Sequence, residues 1–385
     1  MRITWSLPVP GEPPDSGRGD VVRARGLVEA LRTEGHEVRL VAAAADAHAG
    51  ASVSAYRAGV RRLLPRALAL PLRDAGRLAL ARVHARRVAA AAREQGAQVV
   101  VETQVHLVPS GRLAARRVGL PLVLDDCSPP AEETALGGGL PAAMVVRSFR
   151  AQADAARGLV VSSAALADAL APWGSDRIHV VPNGVDLVAF ERPGRAAARR
   201  ELGLDDAFVA AFVGSFQPWH RLDLLMEAAA ALEGPLRPRL LLVGDGPGRE
   251  AALARAGRLG IRDRVIAPGA VPPGEVPRLL AAADAGVLPG SNGWGQPMKL
   301  VEYAAAGLPA VAPDLAPVRE VLRPGQTGLL FAPGDGEALR DDLARLAADP
   351  VLRDRLGGAA RAASLGWSWR ERARALARVL EEARA

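Results

Sequence analysis

Lys299 is the only lysine in the chain, although 49 residues are Lys or Arg. Arginine presents a wide planar guanidinium group, whereas lysine presents a compact point charge. A position that keeps lysine in such a chain therefore indicates a site that needs the smaller ammonium group. Chance survival of an exposed surface lysine is the alternative. The neighbouring sequence disfavours it, because residues 293–297 form a glycine-rich loop that leads into a helical pattern.

The residues on either side of Lys299 predict an anion site at a helix N-terminus. Pro297 suits the first turn of a helix, because its missing N–H would have no partner there. The backbone amides of residues 295–299 would then face a bound anion, and the ammonium group would add charge to them. Glu302 lies three residues after Lys299, on the same helix face. A solvent-exposed ion pair between these two residues, worth about 0.3 kcal/mol, is the alternative.

A second glycine loop follows another predicted buried strand. Gly214 permits close backbone approach, and Ser215, His220 and Arg221 add a hydroxyl, an imidazole and a guanidinium group nearby. This composition suits a diphosphate. An ordinary strand-to-helix loop is the alternative. Gly244 begins a weaker glycine turn of the same kind.

Short apolar runs alternate with helical patterns along the chain, which is typical of parallel α/β layering. We predict a first core strand at the N-terminus and two further series of strands, at residues 38–43, 99–101, 120–124 and 158–161, and at residues 208–213, 240–243, 265–266, 285–288 and 310–311. The turn-rich segment 180–186 separates the two series and marks a domain boundary near residue 185. A length of 385 residues also favours two domains.

Five motifs occur in an order and spacing that resemble the retaining GT-B glycosyltransferases of family 4, also called group 1. They are GHEV at 35–38, VPNGVD at 181–186, GDGP at 244–247, a glycine-to-proline stretch at 269–289, and KLVEYAAAGLPAVA at 299–312. The resemblance implies two Rossmann-like doubly wound domains facing one another across a cleft. They would span residues 1–185 and 186–363, with a C-terminal helix in 364–385 returning to the first domain. A dehydrogenase would instead show its dinucleotide fingerprint after the first strand, where this chain has none.

The resemblance implies transfer of a sugar from a UDP-, GDP- or dTDP-sugar to an acceptor hydroxyl, with retention at the anomeric carbon and without a cofactor or bound metal. Helix amides, Lys299, His220 and Arg221 would stabilise the departing diphosphate. Glu302 resembles the family carboxylate that binds the ribose hydroxyls. The predicted donor-binding set is Gly17, Gly19, Gly214, Ser215, Gly244, Val271, Gly295, Gln296, Pro297, Met298 and Glu302.

Two parts of that set come from loops. Gly17 and Gly19 are equivalents of the paired-glycine loop that in the family meets the donor phosphate or the acceptor. A helix cap by Asp20 is the structural alternative. The nucleotide base would lie against the loop 269–273 and meet backbone groups such as those of Val271, so the sequence does not distinguish the bases.

Three positions depart from the family pattern. The family usually has an arginine and a lysine in the second glycine loop, where this chain has Ser215 and His220. Of two glutamates eight residues apart, Glu302 is retained and Trp294 replaces the other. Two cations and one carboxylate are therefore missing. We interpret this as a variant donor site in which Lys299 compensates for the missing positive charge.

The acceptor side is less defined. Asp125 follows one predicted strand and His106 follows another, and both are candidate catalytic residues. Glu102 ends the same strand as His106. Many family members have a histidine close to the position of Cys127. The paired acids at 125–126 raise a metal site as an alternative, but the sequence shows no histidine or carboxylate cluster at ligand spacing.

Composition limits the partners and the compartment. The net charge of +7 favours an anionic ligand or membrane surface, whereas an aromatic content of 4% without a recognition motif disfavours nucleic acid. The single cysteine permits no intrachain disulfide and fits a cytoplasmic protein. No apolar run is long enough to predict a transmembrane helix.

The acceptor and the function keep alternatives. The arginine- and leucine-rich segment 57–93 could be a membrane-surface helix or a solvated one, so the acceptor could be a lipid-linked, saccharide or soluble small molecule. Peripheral membrane contact is therefore an open alternative. A sugar-nucleotide epimerase or hydrolase, or a non-catalytic sugar-nucleotide-binding protein, would share the same donor pocket.

Overall fold

The computed structural model describes residues 1–10, 12, 15–43, 66–130, 140–191, 194–204 and 206–385. Contacts divide the chain into two compact units. The first comprises Met1–Ser16, Asp20–Pro182 and Trp369–Ala385, and the second comprises Gly17–Gly19 and Asn183–Ser368. The domain limits predicted from the sequence, after residues 185 and 363, lie close to these positions.

Each unit contains one parallel sheet. The strands of the first are β1 (Arg2–Leu7), β2 (Glu37–Ala42), β3 (Val99–Thr103), β4 (Leu122–Asp125), β5 (Gly158–Val161) and β6 (Ile178–Val180). Those of the second are β7 (Val209–Val213), β8 (Arg239–Val243), β9 (Val265–Gly269), β10 (Ala285–Val287), β11 (Ala310–Pro313) and β12 (Gly328–Phe331). The sequence pattern did not reveal β6 and β12. Both strands are short, and β6 is partly exposed.

Helices connect the strands. In chain order they are α1 (Gly19–Thr33), α2 (Arg66–Gln95), α3 (Ser110–Val118), α4 (Ala142–Ala153), α5 (Ala164–Leu170), α6 (Arg195–Glu201), α7 (Leu222–Ala230), α8 (Arg249–Arg258), α9 (Val276–Leu280), α10 (Met298–Ala305), α11 (Ala316–Arg319), α12 (Gly336–Ala348), α13 (Pro350–Ser364) and α14 (Trp369–Arg384). Residues 57–65 of the predicted arginine-rich helix lie outside the described residues. None of the helices in the described ranges has the length and apolar character needed to cross a membrane.

The order of the strands determines where each sheet can bind a ligand. It is β2-β1-β3-β4-β5-β6 in the first unit and β12-β11-β10-β7-β8-β9 in the second. The direction of winding reverses between β1 and β3, and again between β7 and β10. Open parallel sheets bind ligands beyond the carboxyl ends of the strands at such reversal points. This topology confirms the predicted α/β class with two Rossmann-like doubly wound domains.

Both faces of the sheets are covered by helices, which explains why the strands read as continuous apolar runs. Every residue of β3, β4, β5, β7 and β11 is buried. In the second unit, Phe212 packs into the core on one face of the sheet and Val213 into the core on the other. The carboxyl ends of the strands are therefore where polar side chains can gather.

The C-terminal helix α14 packs within the first unit. Leu376 and Leu380 are fully buried in the same core as Trp5. Gly26 of α1 makes room for Trp369, because a Cβ atom at Gly26 would lie 2.3 Å from the indole Cε2. Packing of side chains far apart in sequence thus holds α14 against α1.

The start of α1 differs from the prediction. The helix begins at Gly19, so Asp20 lies inside its first turn and is not the N-cap residue. The Asp20 carboxylate accepts a hydrogen bond from the backbone N–H of Val21, at 3.0 Å. A carboxylate in the first turn still interacts favourably with the helix dipole.

Candidate functional site

The site of the second unit lies where β7 and β10 meet. These strands pair directly over only two residues each. Beyond that pairing, the hydroxyl of Tyr303 accepts a hydrogen bond from Val213 N (3.0 Å) and donates one to the Val287 carbonyl (3.3 Å). Gly286 makes room for the ring, because a Cβ atom there would lie 2.2 Å from Tyr303 Cδ2. Tyr303 therefore anchors α10 at the reversal point of the sheet.

Lys299 lies one helical turn before Tyr303, on the same side of α10. Its ammonium nitrogen is 3.2 Å from Nε2 of His220 and 5.4 Å from the centre of the Phe212 ring. Burial lowers the pKa of Lys299 to about 8, against an opposing effect of the Glu302 carboxylate. The ammonium group is thus charged at neutral pH but only partly hydrated.

Glu302 is partly buried, like Lys299, so the pair is not the solvent-exposed ion pair considered as the alternative. Burial raises the pKa of Glu302 to about 7, and the charge of Lys299 opposes that rise. Each group stabilises the charged form of the other.

Two glycines shape the space around the ammonium group. Gly214 has φ 143°, and a Cβ atom there would lie 3.1 Å from Lys299 Cε and 3.3 Å from its Nζ. Gly244 has φ 124°, and its Cβ atom would lie 2.1 Å from the carbonyl oxygen of Gly214. Both positions favour glycine because the backbone takes the left-handed region, and at Gly244 a Cβ atom would also collide with a backbone carbonyl. Both loops thus bring backbone atoms close together at a glycine, as was predicted for Gly214.

His220 ends a single 3-10 turn, Pro218–His220, that follows the Gly214 loop. Its Nδ1 is hydrogen-bonded to the backbone carbonyl of Ser215. Burial, followed by the charge of Lys299, lowers the pKa of His220 to about 3. This corrects the prediction that His220 adds to the positive charge of the site, because the imidazole is neutral at physiological pH.

Arg221 also differs from its predicted role. Its backbone has φ 50°, and its exposed guanidinium group forms an ion pair with Asp223 at 2.9 Å. Much of its charge is therefore balanced locally, at the surface of α7. Of the three predicted cationic groups, Lys299 is the one that the structure places as a charged group against the Gly214 loop.

The loop before α10 is held by its own side chains. Oδ1 of Asn292 accepts hydrogen bonds from the backbone N–H groups of Gly295 (2.8 Å) and Trp294 (3.4 Å). Pro297 is the residue before the helix and not its first residue, so the helix begins at Met298. The Gly295 amide is already used, which narrows the predicted anion site to the first turn of α10.

Gln296 has a partner that sequence reasoning missed. Its side-chain Oε1 accepts a hydrogen bond from the backbone N of Asn183 at 2.7 Å, and its carbonyl accepts one from Asn183 Nδ2 at 3.0 Å. The sequence analysis treated Asn183 only as part of the VPNGVD motif. The available signal for a role of Asn183 was its place directly before a glycine, in a motif that resembles a family pattern. These bonds fix the loop that leads to Lys299.

The remaining predicted binding residues lie near the same loops. The backbone N of Gly244 donates to the carbonyl of Gly269 at 2.8 Å, so the ends of β8 and β9 are joined. A Cβ atom at Gly17 would lie 3.8 Å from the Val271 carbonyl, and one at Gly19 would lie 3.6 Å from Met298 Sδ. The predicted donor-binding residues thus fall within the second unit.

Asp125 in the first unit forms a buried ion pair. Its carboxylate receives hydrogen bonds from Nη2 of Arg23 at 2.8 Å and from Nε at 3.1 Å. The exposed fractions are 0% for Asp125 and 1% for Arg23. Asp125 was predicted as a catalytic residue. The structure places its carboxylate inside the domain, in an ion pair with the Arg23 guanidinium group, which indicates a structural role.

His106 is also held by neighbours. Its Nε2 lies 3.1 Å from the Ser128 hydroxyl, and its Nδ1 lies 3.4 Å from Nε2 of Gln104. Burial lowers the pKa of His106 to about 4, so the ring is neutral. Cys127 is buried, and burial raises the pKa of its thiol, so the thiolate is absent at neutral pH.

Glu102 points into the interior of the first unit. One carboxylate oxygen accepts hydrogen bonds from the hydroxyls of Ser6 (3.0 Å) and Ser110 and from the backbone N of Gly111. The other oxygen has no hydrogen-bond partner among the described residues. Burial raises the pKa of Glu102 to about 7. Within the described ranges, no three histidine, cysteine or acidic side chains gather as a metal site.

Two family models match the chain. The model described as Glycosyltransferase Family 4 matches residues 18–188, and the model described as Glycosyl transferases group 1 matches residues 207–349. Between them these ranges include most of both structural units.

Curated relatives share more than a third of their aligned residues with the chain. A D-inositol 3-phosphate glycosyltransferase of Nocardia farcinica is 36% identical over 211 residues, which are 52% of this chain and 46% of the relative. That of Actinosynnema mirum is 38% identical over 210 residues, 50% of this chain and 49% of the relative. The chain therefore spans about half the length of these relatives.

Solved structures resemble the whole fold. A sucrose-phosphate synthase of Thermosynechococcus elongatus has a TM-score of 0.78 at 19% identity, with 99% of this chain and 98% of that chain covered. The Anabaena protein HepE, crystallised with UDP and glucose, has a TM-score of 0.77 at 19% identity, with 99% of each chain covered. These similarities establish a two-domain GT-B fold.

Proposed function

The chain belongs to the glycosyl transferases of group 1, family 4, and from this premise we propose that it transfers a sugar from a nucleotide diphosphate sugar to an acceptor hydroxyl. The observation that carries the proposal is the Lys299 ammonium group. It lies beside the first turn of α10, where the winding of the sheet reverses, against Gly214 and His220. A compact cation at a helix N-terminus and a glycine loop suit a diphosphate.

In the proposed reaction, the bond between the anomeric carbon and the diphosphate oxygen breaks, and a bond to the acceptor oxygen forms on the same face of the sugar. The acceptor proton passes to the leaving phosphate. Negative charge grows on the diphosphate as it departs. A cation held beside it therefore gives the largest reduction of the activation barrier among the groups at this site. The first-turn amides of α10 add partial positive charge. We propose that this transfer needs no protein-bound metal.

Glu302 supports the nucleotide part of the proposal. Its carboxylate lies one turn along α10 from Lys299, a spacing that places a hydrogen-bond acceptor beside a phosphate site. We assign it to the ribose hydroxyls. The base would lie against the loop that follows Gly269, where backbone groups dominate, so uridine, guanosine and thymidine donors all require testing.

The comparisons indicate which substrates to test first. HepE is described with UDP and glucose, and the curated relatives are named as D-inositol 3-phosphate glycosyltransferases. UDP-glucose is therefore the first donor to test, and a phosphorylated cyclitol is the first acceptor. We also propose a cytoplasmic location. A lipid-linked acceptor with peripheral membrane contact is a further proposal, and sedimentation with anionic liposomes at low salt would test that contact.

The deciding experiment is a thermal-shift screen of UDP-, GDP- and dTDP-sugars, followed by a product assay with the donor that binds. Ligands that bind the folded state raise the melting temperature, so one nucleotide class is expected to stand out. The matching nucleoside monophosphate is the control for the diphosphate. Donor consumption without any acceptor would favour an epimerase or hydrolase. Tight binding without turnover would favour a binding protein.

We expect kcat/KM for the donor to follow a bell-shaped pH profile that peaks between about pH 7 and about pH 8. Burial raises the pKa of Glu302, so its carboxylate is lost as the pH falls through about 7. Burial lowers the pKa of Lys299, so its ammonium group is lost as the pH rises through about 8. The kcat/KM profile reports these groups in the free protein.

The variant Glu302→Gln separates the two limbs of this profile. It is expected to remove the acid limb and to keep the basic limb, shifted to slightly lower pH because the carboxylate no longer supports the ammonium charge. A wild-type profile that is flat from about pH 6 to about pH 9 would contradict the assignment of both groups.

A further inference from the structure

The hydrogen bonds of His220 determine where its proton lies. Nδ1 is bonded to the backbone carbonyl oxygen of Ser215. A carbonyl oxygen can only accept a hydrogen bond, so Nδ1 must carry the proton. In a neutral imidazole the other ring nitrogen then has a free lone pair. This leaves Nε2 as an acceptor.

The second ring nitrogen faces a group that can only donate. The Lys299 ammonium nitrogen is 3.2 Å from Nε2 of His220, and an ammonium group has three N–H donors and no acceptor. A protonated imidazole would direct an N–H at this cation and repel it. Both partners of the ring therefore select the same neutral tautomer, with its proton on Nδ1.

Packing fixes the orientation of the ring. Phe212 lies edge-on to His220, with ring centres 5.3 Å apart. The ring centre of Trp219, the preceding residue, lies 5.9 Å from that of His220. His220 is only 6% exposed. Among the described residues, His220 Nε2 is the one hydrogen-bond partner of the Lys299 ammonium group. Its other two N–H donors are available to a ligand.

We propose that His220 is a positioning residue: as a neutral acceptor it holds the Lys299 ammonium group against Gly214 and directs its two remaining N–H donors to the diphosphate. The inference rests on the proposed function and deepens it. In this arrangement one cation with a fixed direction performs the task that two cations would share. His220 acts on the donor only through Lys299.

The tautomer gives a test that does not depend on activity. Nitrogen NMR of the ¹⁵N-histidine-labelled full chain at pH 7 distinguishes the two neutral tautomers and the imidazolium, and His220→Asn assigns the signal. We expect a neutral His220 with its proton on Nδ1. A proton on Nε2, or a cationic ring, would overturn the inference even if the protein proves to be a glycosyltransferase.

The functional test is a double-mutant cycle read by nucleotide diphosphate affinity, with UDP, GDP and dTDP as probes. His220→Asn keeps an amide donor near Ser215 but places no acceptor near Lys299. We expect it to weaken binding about tenfold in the wild-type background, because a hydrogen bond to a charged group is lost. In a Lys299→Met background the same change is expected to alter affinity less than about twofold.

A conservative variant provides the rescue. The side chain of His220→Gln can place an oxygen where Nε2 lies, so it is expected to recover most of the affinity that His220→Asn loses. Equal losses from His220→Asn with and without Lys299 would show a general structural role and would overturn the inference. If none of the three diphosphates binds, the proposed function fails, and the NMR result still decides how His220 is protonated.

Discussion

Lys299→Ala is expected to lower turnover of the donor by about a hundredfold to a thousandfold, the range found when one oriented donor is removed from a site of developing negative charge. The reason is that, of the three predicted cations, Lys299 is the one left charged and directed at the site, since Arg221 is paired with Asp223 and His220 is neutral. Steady-state kinetics with the donor identified by thermal shift would measure the effect. Turnover equal to that of the wild type would contradict the assignment.

Lys299→Arg tests shape against charge at the same position. A guanidinium group is wider than an ammonium group, and space is limited here. The Phe212 ring centre lies 5.4 Å from the ammonium nitrogen, and a Cβ atom at Gly214 would lie 3.1 Å from the lysine Cε. We expect the arginine variant to recover less than a tenth of the lost turnover, because displacement of a catalytic group by about 1 Å can cost a hundredfold. Arg255→Ala, which removes the exposed ion pair between Arg255 on α8 and Glu227 on α7, is the matched control and should leave turnover unchanged.

Asp125→Asn is expected to lower the free energy of unfolding by about 3–5 kcal/mol, the usual cost of breaking a buried ion pair by removing one partner. The loss arises because Arg23 would keep a buried charge without its carboxylate. Urea unfolding followed by circular dichroism would measure it. Glu94→Gln is the control, since the Arg39–Glu94 ion pair is exposed and should contribute less than about 1 kcal/mol.

A paired replacement separates a structural role of Asp125 from a catalytic one. Arg23→Met combined with Asp125→Leu removes both charges and is expected to regain most of the stability that Asp125→Asn loses. Because the carboxylate lies inside the domain, the paired variant should also retain donor turnover. A stable paired variant with no turnover would show that Asp125 takes part in the reaction.

Most of the secondary structure could be predicted from local pattern. Strands buried on both faces read as short apolar runs, and most of the β-strands were found in this way. The strands β6 and β12 were missed; β6 is partly exposed and adjoins the turn-rich segment 180–186 that was predicted as the domain boundary. The sequence also predicted Gly214 as a point of close backbone approach and Gly244 as a glycine turn, and both have a positive φ that favours glycine.

The roles of charged side chains could be predicted only in part. The sequence assigned positive charge to His220 and Arg221 and a catalytic carboxylate to Asp125. Each role depends on a partner, namely Lys299, Asp223 and Arg23 respectively. Two of these partners lie 79 and 102 residues away in the chain. Desolvation and pairing across such distances determine whether a group is charged, and no local pattern contains that information.

The sequence by itself determined that Lys299 is exceptional, since a chain that uses arginine everywhere else keeps lysine at this position. It also determined the parallel α/β architecture through the period of its apolar residues. Only the tertiary structure decided why the small ammonium group is needed. The Phe212 ring, the Gly214 loop and a neutral His220 surround it at the end of β7, far from Lys299 in the chain, and we expect this packing to accept a compact point charge better than a planar guanidinium group.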